Sequence, residues 1–171
     1  MVSFYYYQNE YRTAVNYFQQ SLQLSSISYK DSFEVLEAMS DMANQYTKLN
    51  MFDSALYFSN LAYQKSLNTS YETTVAPDAL ANLGDIYFKL GKAPLAMEYY
   101  KLALPAAIEN SDYENSCESS IGMAKIFQQG NKNDSAIFYA NKSFSFANEG
   151  AETWRQVQAS DFIASNYRKI K

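Results

Sequence analysis

Residues 80–104 read LANLGDIYFKLGKAPLAMEYYKLAL, and this stretch decides the fold of the chain. It holds two helical patterns of apolar residues, one on each side of a turn at Gly91. Small residues stand where the two helices would touch, at Gly84 in the first helix and Ala96 in the second. Because antiparallel helices approach closely only where side chains are small, we expect a tight helical hairpin in which Gly84 faces Ala96.

The hairpin pattern recurs along the chain at a nearly constant spacing. One small-residue position of the second helix is an alanine in four copies, separated by 41, 41 and 40 residues: Ala14, Ala55, Ala96 and Ala136. An aromatic residue stands nine positions before each of these alanines, at Tyr5, Tyr46, Tyr87 and Phe127. Agreement of several columns in four copies favours a repeat array over a helical bundle with coincidental periodicity. Such hairpins bury a continuous core only by stacking on one another.

The turn inside each hairpin carries a further regularity. The residue five positions before each of the alanines is Asn9, Asn50, Gly91 or Asn131. Asparagine and glycine adopt the left-handed backbone conformation more easily than other residues. We therefore expect each first helix to end at a residue with positive φ.

These columns resemble the tetratricopeptide repeat, in which a large and a small residue precede an aromatic one in the first helix. The resemblance implies an all-α fold: a right-handed α-α superhelix of about four stacked hairpins and a terminal helix. We expect a single array over residues 1–171. Its predicted parts are a truncated repeat at 1–28, repeats at 29–74, 75–112 and 113–149, and a terminal helix at 150–171.

The repeats are longer than those typical of the family. Their 40 to 41 residues exceed the usual length of about 34. Repeats of this length, with an Asn-, Ser- and Tyr-rich composition, resemble the tetratricopeptide regions of Bacteroidetes regulatory and sensor proteins. That resemblance implies a place in a histidine kinase or a transcription regulator.

Prolines and loop-forming residues predict where helices begin and break. The segment 68–76 is predicted to be a loop, with Pro77 in the first turn of the next helix. Pro105 falls well inside a second helix, where we expect a kink or a break. Asp53 precedes an alanine of the repeat column and is expected to cap its helix.

Composition excludes several functional classes. The chain has no histidine and one cysteine, Cys117, which excludes Cys/His zinc motifs, histidine acid–base chemistry and an intrachain disulfide. A net charge of −4 without a basic cluster argues against nucleic-acid binding. No glycine-rich phosphate loop or cofactor motif is present, so we predict a non-enzyme without cofactors, with Cys117 a small buried residue.

No apolar run is long enough to span a membrane, and no secretory signal is visible, so we expect no membrane contact. The aromatic residue Tyr5 already lies inside a first-helix pattern. This start predicts an excised fragment of a longer protein. The sequence is compatible with either a cytoplasmic or a periplasmic location.

The resemblance implies a ligand groove on the concave face, which the first helices line. Side chains at the groove-facing repeat positions are Tyr6, Tyr7, Asn44, Lys48, Asn82, Asp85, Lys89, Lys125 and Gln129. Asparagine amides can hydrogen-bond a peptide backbone, and aromatic rings supply contact area. We therefore predict that the partner is a protein or a peptide.

One family subtype, which holds the C-terminal carboxylate of chaperones, is disfavoured. Asn44 and Asn82 fall where that subtype has asparagines, but Ser40, Glu118 and Gly122 occupy its cationic positions. Without those cations the groove cannot compensate the desolvation of a carboxylate. Asn44 and Asn82 either contact another ligand or lie in solvent.

Two functions from different classes fit the sequence. The first is a ligand-sensing module that binds a peptide or protein in the groove and relays that event to an attached signalling domain. The second is a structural adaptor that self-associates through the exposed ends of the array, or bridges proteins, without a dedicated ligand.

Overall fold

A computed structural model describes residues 33–170, together with the helical residues Thr13, Asn16 and Gln20. Residues 33–170 form seven α-helices and no strand. The helices are α1 (Phe33–Lys48), α2 (Phe52–Ser66), α3 (Glu72–Lys89), α4 (Ala93–Glu109), α5 (Tyr113–Gln129), α6 (Asn133–Glu149) and α7 (Thr153–Ile170). The predicted first repeat lies outside this range apart from those three residues.

The helices pair into hairpins that stack in chain order. α1 packs on α2, α3 on α4 and α5 on α6, while α7 packs on α6 and α5. The first helices also contact each other, α1 with α3 and α3 with α5, whereas no contact joins α2 to α4 or α4 to α6. The first helices therefore form the closely packed inner layer and the second helices the splayed outer layer. The all-α solenoid predicted from the repeat columns is confirmed.

The turn inside each hairpin has the predicted conformation. Asn50, Gly91 and Asn131 have φ values of 58°, 73° and 54°. The turns between hairpins use the same conformation at residues that the repeat columns did not single out: Asn68, Ser111 and Ala151. A single left-handed residue thus ends both helices of a hairpin, and the hairpins stack with short connections.

The centre of the described array is the buried side chain of Tyr100 on α4. A methyl group added at Gly84 of α3 would lie 2.5 Å from the Tyr100 Cε1 atom, and one at Gly122 of α5 would lie 2.3 Å from Cζ. The Tyr100 hydroxyl donates a hydrogen bond to Asp85 on α3. The expectation that Gly84 faces Ala96 is therefore wrong, because the space left by the missing side chain is filled by the aromatic ring.

The helix α3 begins earlier than predicted. It starts at Glu72, so the predicted loop at 68–76 is largely helical and Pro77 lies in the second turn. Proline has no backbone N–H to donate to the carbonyl of Thr73, four residues earlier. The Asn110 side-chain amide donates to that carbonyl instead, at 2.6 Å. A side chain from the next connection thus supplies the hydrogen bond that the proline lacks.

Two other local expectations are corrected. α4 runs without a break from Ala93 to Glu109 with Pro105 inside it, so the predicted break does not occur. Asp53 lies in the first turn of α2 and forms no cap hydrogen bond. Its carboxylate still suits the positive end of the helix dipole.

Cys117 is buried, as predicted, at the boundary between α5 and α6. Its Sγ atom donates to the Ser143 carbonyl at 3.3 Å, and the Ser143 hydroxyl donates to the Cys117 carbonyl at 3.0 Å. Burial raises the pKa of the thiol to about 11. The thiol therefore stays protonated and holds two helices together.

Replacing Gly84 with alanine tests the packing around Tyr100. The ring cannot move away from the new methyl group because Gly122 confines it. We expect Gly84→Ala to lower the free energy of unfolding by about 1–3 kcal/mol, although alanine favours a helix more than glycine does. Urea denaturation followed by circular dichroism measures the change.

Gly130→Ala is the matched control. A methyl group there would meet no atom closer than 3.6 Å, and its φ of −82° suits alanine. We expect its stability to stay within about 0.5 kcal/mol of the parent chain. Equal stability of the two variants would contradict the packing role of Gly84.

Candidate functional site

A pocket of about 250 Å³ opens on the inner layer of the array. Its walls come from α1, from α3, and from α5 with the residue before it. The lining residues are Phe33, Glu37, Asp41, Asn44, Thr74, Val75, Asp78, Asp112, Glu114, Asn115 and Glu118. We refer to this set as the acidic pocket. The pocket exists only because three hairpins are stacked.

The charge of the acidic pocket is one-sided. Six of its eleven lining residues are aspartate or glutamate, and none is lysine or arginine. Glu37, Asp78 and Glu118 occupy the same repeat position on α1, α3 and α5, nine residues before the aromatic residue of each copy. Repetition of one carboxylate position thus places three acids side by side.

Sequence analysis did not foresee this convergence. The carboxylates are 40 or 41 residues apart and none is part of a local motif. The available signal was the repeat register itself, because equivalent residues on consecutive first helices must become neighbours in a stacked array.

Burial and mutual repulsion disturb the ionisation of Asp78. Burial raises its pKa to about 7, and the negative charges of Glu118, Asp41 and Asp112 raise it further, while a hydrogen bond with Ser40 opposes the shift. Asp78 is therefore close to half-protonated at neutral pH.

Two other carboxyl groups of the pocket are affected in the same direction. Burial raises the pKa of Asp41, and the charges of Glu37 and Glu114 add to the rise. Burial also raises the pKa of Glu118, with a contribution from the charge of Asp85. Acids from α1 and α5 thus influence each other across the pocket, and the empty pocket carries an excess of negative charge.

One edge of the acidic pocket already holds a guanidinium group. Arg155 of α7 is 4% exposed and forms ion pairs with Glu114 and with Glu118, the latter at 3.2 Å. Its guanidinium carbon lies 4.4 Å from the centre of the Trp154 ring. Arg155 is not among the lining residues, so its charge compensates α5 from outside the pocket.

An unsatisfied hydrogen-bond acceptor lies in the pocket wall. Asn115 is 7% exposed, and its side-chain amide donates to the Asp112 carboxylate at 2.8 Å. Its Oδ1 atom has no hydrogen-bond partner within the described residues. The Asp112 carboxylate also accepts from the Asn115 backbone N–H at 3.0 Å and so caps α5. A buried acceptor without a donor costs free energy that a bound donor would recover.

The predicted groove residues divide between different places. Asn44 lines the acidic pocket. Asn82 is 4% exposed and donates to the carbonyl and hydroxyl oxygens of Ser40, at 3.3 and 3.2 Å. The description of Asn82 as a groove-facing or solvated residue is therefore wrong, because its amide joins α3 to α1. Tyr6 and Tyr7 lie outside the described residues.

The predicted cations lie towards the other ends of the first helices. Lys89 donates to the Thr47 carbonyl at 3.3 Å. Burial lowers the pKa of Lys89, the charge of Asp85 opposes this, and the charges of Lys125 and Lys48 lower it further. Lys48, Lys89 and Lys125 are thus close enough to repel one another, and none of them lines the acidic pocket.

Gln129 belongs to a separate depression. It lines a mostly apolar pocket with Pro94 and Met97 of α4 and Ile126 of α5. The nine predicted positions therefore do not form one site, and only Asn44 reaches the acidic pocket.

Comparison with known proteins agrees with this architecture. Residues 77–104 match the tetratricopeptide repeat family model. The chain is a tetratricopeptide-repeat protein. Among solved structures, it is similar to the crystal structure of BtubC (BKLC) from P. vanneervenii, with a TM-score of 0.66 and 18% sequence identity. The match covers 94% of this chain and 64% of that one. No curated protein matches the chain.

Two further searches concern the described part of this tetratricopeptide array. Within it, no group of three or more cysteine, aspartate or glutamate side chains is arranged to hold a metal ion. None of its helices is both long enough and apolar enough to cross a membrane.

The raised pKa of Asp78 predicts a pH-dependent stability. The folded-state pKa of about 7 exceeds the ordinary value of 3.8, so the folded chain binds the extra proton and its free energy of unfolding falls as pH rises through that window. Asp78→Asn removes this cost. We expect its stabilising effect at pH 8 to exceed that at pH 5 by about 2 kcal/mol, less than the full 1.4 kcal/mol per pKa unit because Asp78 is not completely buried.

Denaturation at both pH values measures this difference. Glu98→Gln, on the outer helix α4, is the control and should show no pH-dependent gain, because Glu98 is exposed. A stability change for Asp78→Asn that is equal at the two pH values would contradict a raised pKa.

Proposed function

We propose that this array binds a protein or peptide on its concave face and is the partner-sensing region of a larger bacterial regulatory protein, a histidine kinase or a transcription regulator. Tetratricopeptide repeats generally mediate protein–protein interactions. The observation that favours the concave face is the acidic pocket, a depression that three successive first helices build together. The regulatory context rests on the length of the repeats, 40 to 41 residues.

The dimensions of the acidic pocket favour a side chain of a larger partner. Its volume of about 250 Å³ is below the range of about 300–1,000 Å³ that is usual for pockets holding small molecules. A protein or peptide lying along the inner layer would insert one side chain there and place its backbone over neighbouring first helices. Scaffolds of this family are typically non-enzymatic, and the proposal includes no catalytic step.

Sensing would follow from the stacked arrangement. A partner that contacts α1, α3 and α5 together stabilises one relative position of three hairpins. Such a contact can shift an array between conformations only if the partner binds one of them better. The attached signalling domain would respond to that shift.

Selection from a displayed library of random peptides tests the binding function without a known partner. We expect selected peptides to lose about tenfold or more in affinity, at least 1.4 kcal/mol, when Asn44→Trp fills the pocket entrance. Fluorescence anisotropy with labelled peptides measures the affinity.

Lys101→Trp is the matched control, because it adds the same bulk to an exposed position of the outer helix α4. Its affinity should equal that of the parent chain. A library that yields no binder, or binders that tolerate Asn44→Trp, would contradict binding on the concave face.

A second candidate function is self-association through the end of the array. The apolar residues Trp154, Val157, Ala164 and Tyr167 of α7 are all exposed. Their spacing of three, seven and three residues places them on one side of the helix. An apolar stripe of this kind suits a second copy of the chain or a bridging protein.

Sedimentation velocity over a concentration series tests this second function. If α7 drives assembly, Val157→Asp should abolish any concentration-dependent dimer. Leu102→Asp, at an exposed apolar residue of α4, should leave that dimer intact. A parent chain that stays monomeric at high concentration would exclude self-association through α7.

A further inference from the structure

We infer that the acidic pocket accepts the guanidinium group of an arginine side chain carried by the protein or peptide partner. This inference rests on the proposed concave-face function and specifies the chemistry of what binds there. It would make a basic segment the preferred partner of the array.

Charge is the first reason. Glu37, Asp41 and Asp78 line the pocket, and none of them forms an ion pair within the described residues. Three carboxylates in one depression repel each other and any acidic partner. A cation placed among them would replace this repulsion with attraction.

The unsatisfied acceptor in the pocket wall is the second reason. The Oδ1 atom of Asn115 is buried and lacks a donor, while the amide of the same side chain is fixed by Asp112. The side chain cannot turn to satisfy its oxygen without losing that hydrogen bond. A ligand with several N–H groups would supply the missing donor and pair with carboxylates at the same time. Guanidinium offers five such donors in one plane, whereas an ammonium offers three.

Arg155 supplies an internal precedent for this recognition. Its guanidinium pairs with Glu114 and Glu118, which are one helical turn apart on α5. Glu37 and Asp41 have the same spacing on α1 and line the pocket without such a cation. The array therefore already uses a pair of acids one turn apart to hold arginine, and a second pair stands open to a partner.

The walls of the pocket also suit the apolar part of an arginine side chain. Phe33 and Val75 are the apolar lining residues. An aromatic ring attracts a guanidinium through its π face, and an aliphatic wall packs against the methylene stem. The raised pKa values of Asp78 and Asp41 fit the same picture, because a bound cation would favour their ionised forms.

Citrulline provides the matched probe, because it has the shape of arginine without the charge. Displayed random peptides are selected on the intact chain, and each arginine of a selected peptide is replaced by citrulline, by lysine or by glutamate. We expect selected peptides to contain arginine. Replacement of one arginine by citrulline should weaken binding about tenfold or more, glutamate should abolish it, and lysine should fall between arginine and citrulline.

Two double variants of the chain show where the arginine binds. Glu37→Gln with Asp41→Asn removes two pocket charges at residues outside any ion pair, and should weaken the arginine peptide about tenfold while leaving the citrulline peptide unchanged. Glu98→Gln with Glu109→Gln removes the same charge from exposed positions of α4. That control should bind both peptides like the parent chain.

The outcomes separate this inference from the proposed function. Selected peptides that bind in the pocket, as judged by loss of affinity with Asn44→Trp, but tolerate citrulline would overturn the arginine inference and leave the concave-face function intact. Equal weakening by the two double variants would also overturn it, since it would show general attraction to an acidic protein. Failure to select any peptide would overturn both.

Discussion

The packing of one tyrosine holds the described array together. The Tyr100 ring is buried on α4 and touches the sites of two missing side chains, at Gly84 on α3 and Gly122 on α5, while its hydroxyl binds Asp85. One side chain thus fixes the spacing within a hairpin and between two hairpins. Because the acidic pocket takes walls from α1, α3 and α5, its geometry depends on that spacing.

The acidic pocket is a consequence of repetition. A carboxylate at one repeat position costs little in an isolated hairpin, where it faces water. Stacking brings Glu37, Asp78 and Glu118 together and partly buries them, so the cost appears only in the assembled array. Arg155 reduces that cost at one edge. The remaining excess charge at Asp78 and its neighbours is the feature that favours a cationic partner.

Sequence reasoning predicted what depends on local chemistry and on repeat register. The alanine and aromatic columns placed the hairpins, and Asn50 and Asn131 ended first helices with positive φ as expected. It failed where a distant residue decided the outcome. The hydrogen bond from Asn110 to the Thr73 carbonyl lets α3 include Pro77, and no local pattern around the proline announces it.

The candidate site was less predictable than the fold. The family positions identified Asn44 but also Asn82, whose amide is used between α1 and α3. The acids of the pocket were seen individually as exposed helix residues, because each has an ordinary environment within its own helix. Their shared position becomes visible only when the repeats are aligned and stacked. The arginine inference therefore comes from the three-dimensional arrangement.

The most direct test of this account is the pKa of Asp78, measured from its carboxyl ¹³C chemical shift with and without an arginine-containing peptide. The account predicts a value of about 7 in the unliganded chain and a clear fall when the peptide binds, because a cation favours the ionised carboxylate. An ordinary value in the unliganded chain, or a raised value that bound peptide leaves unchanged, would contradict the claim that the acidic pocket is a site for a cationic partner.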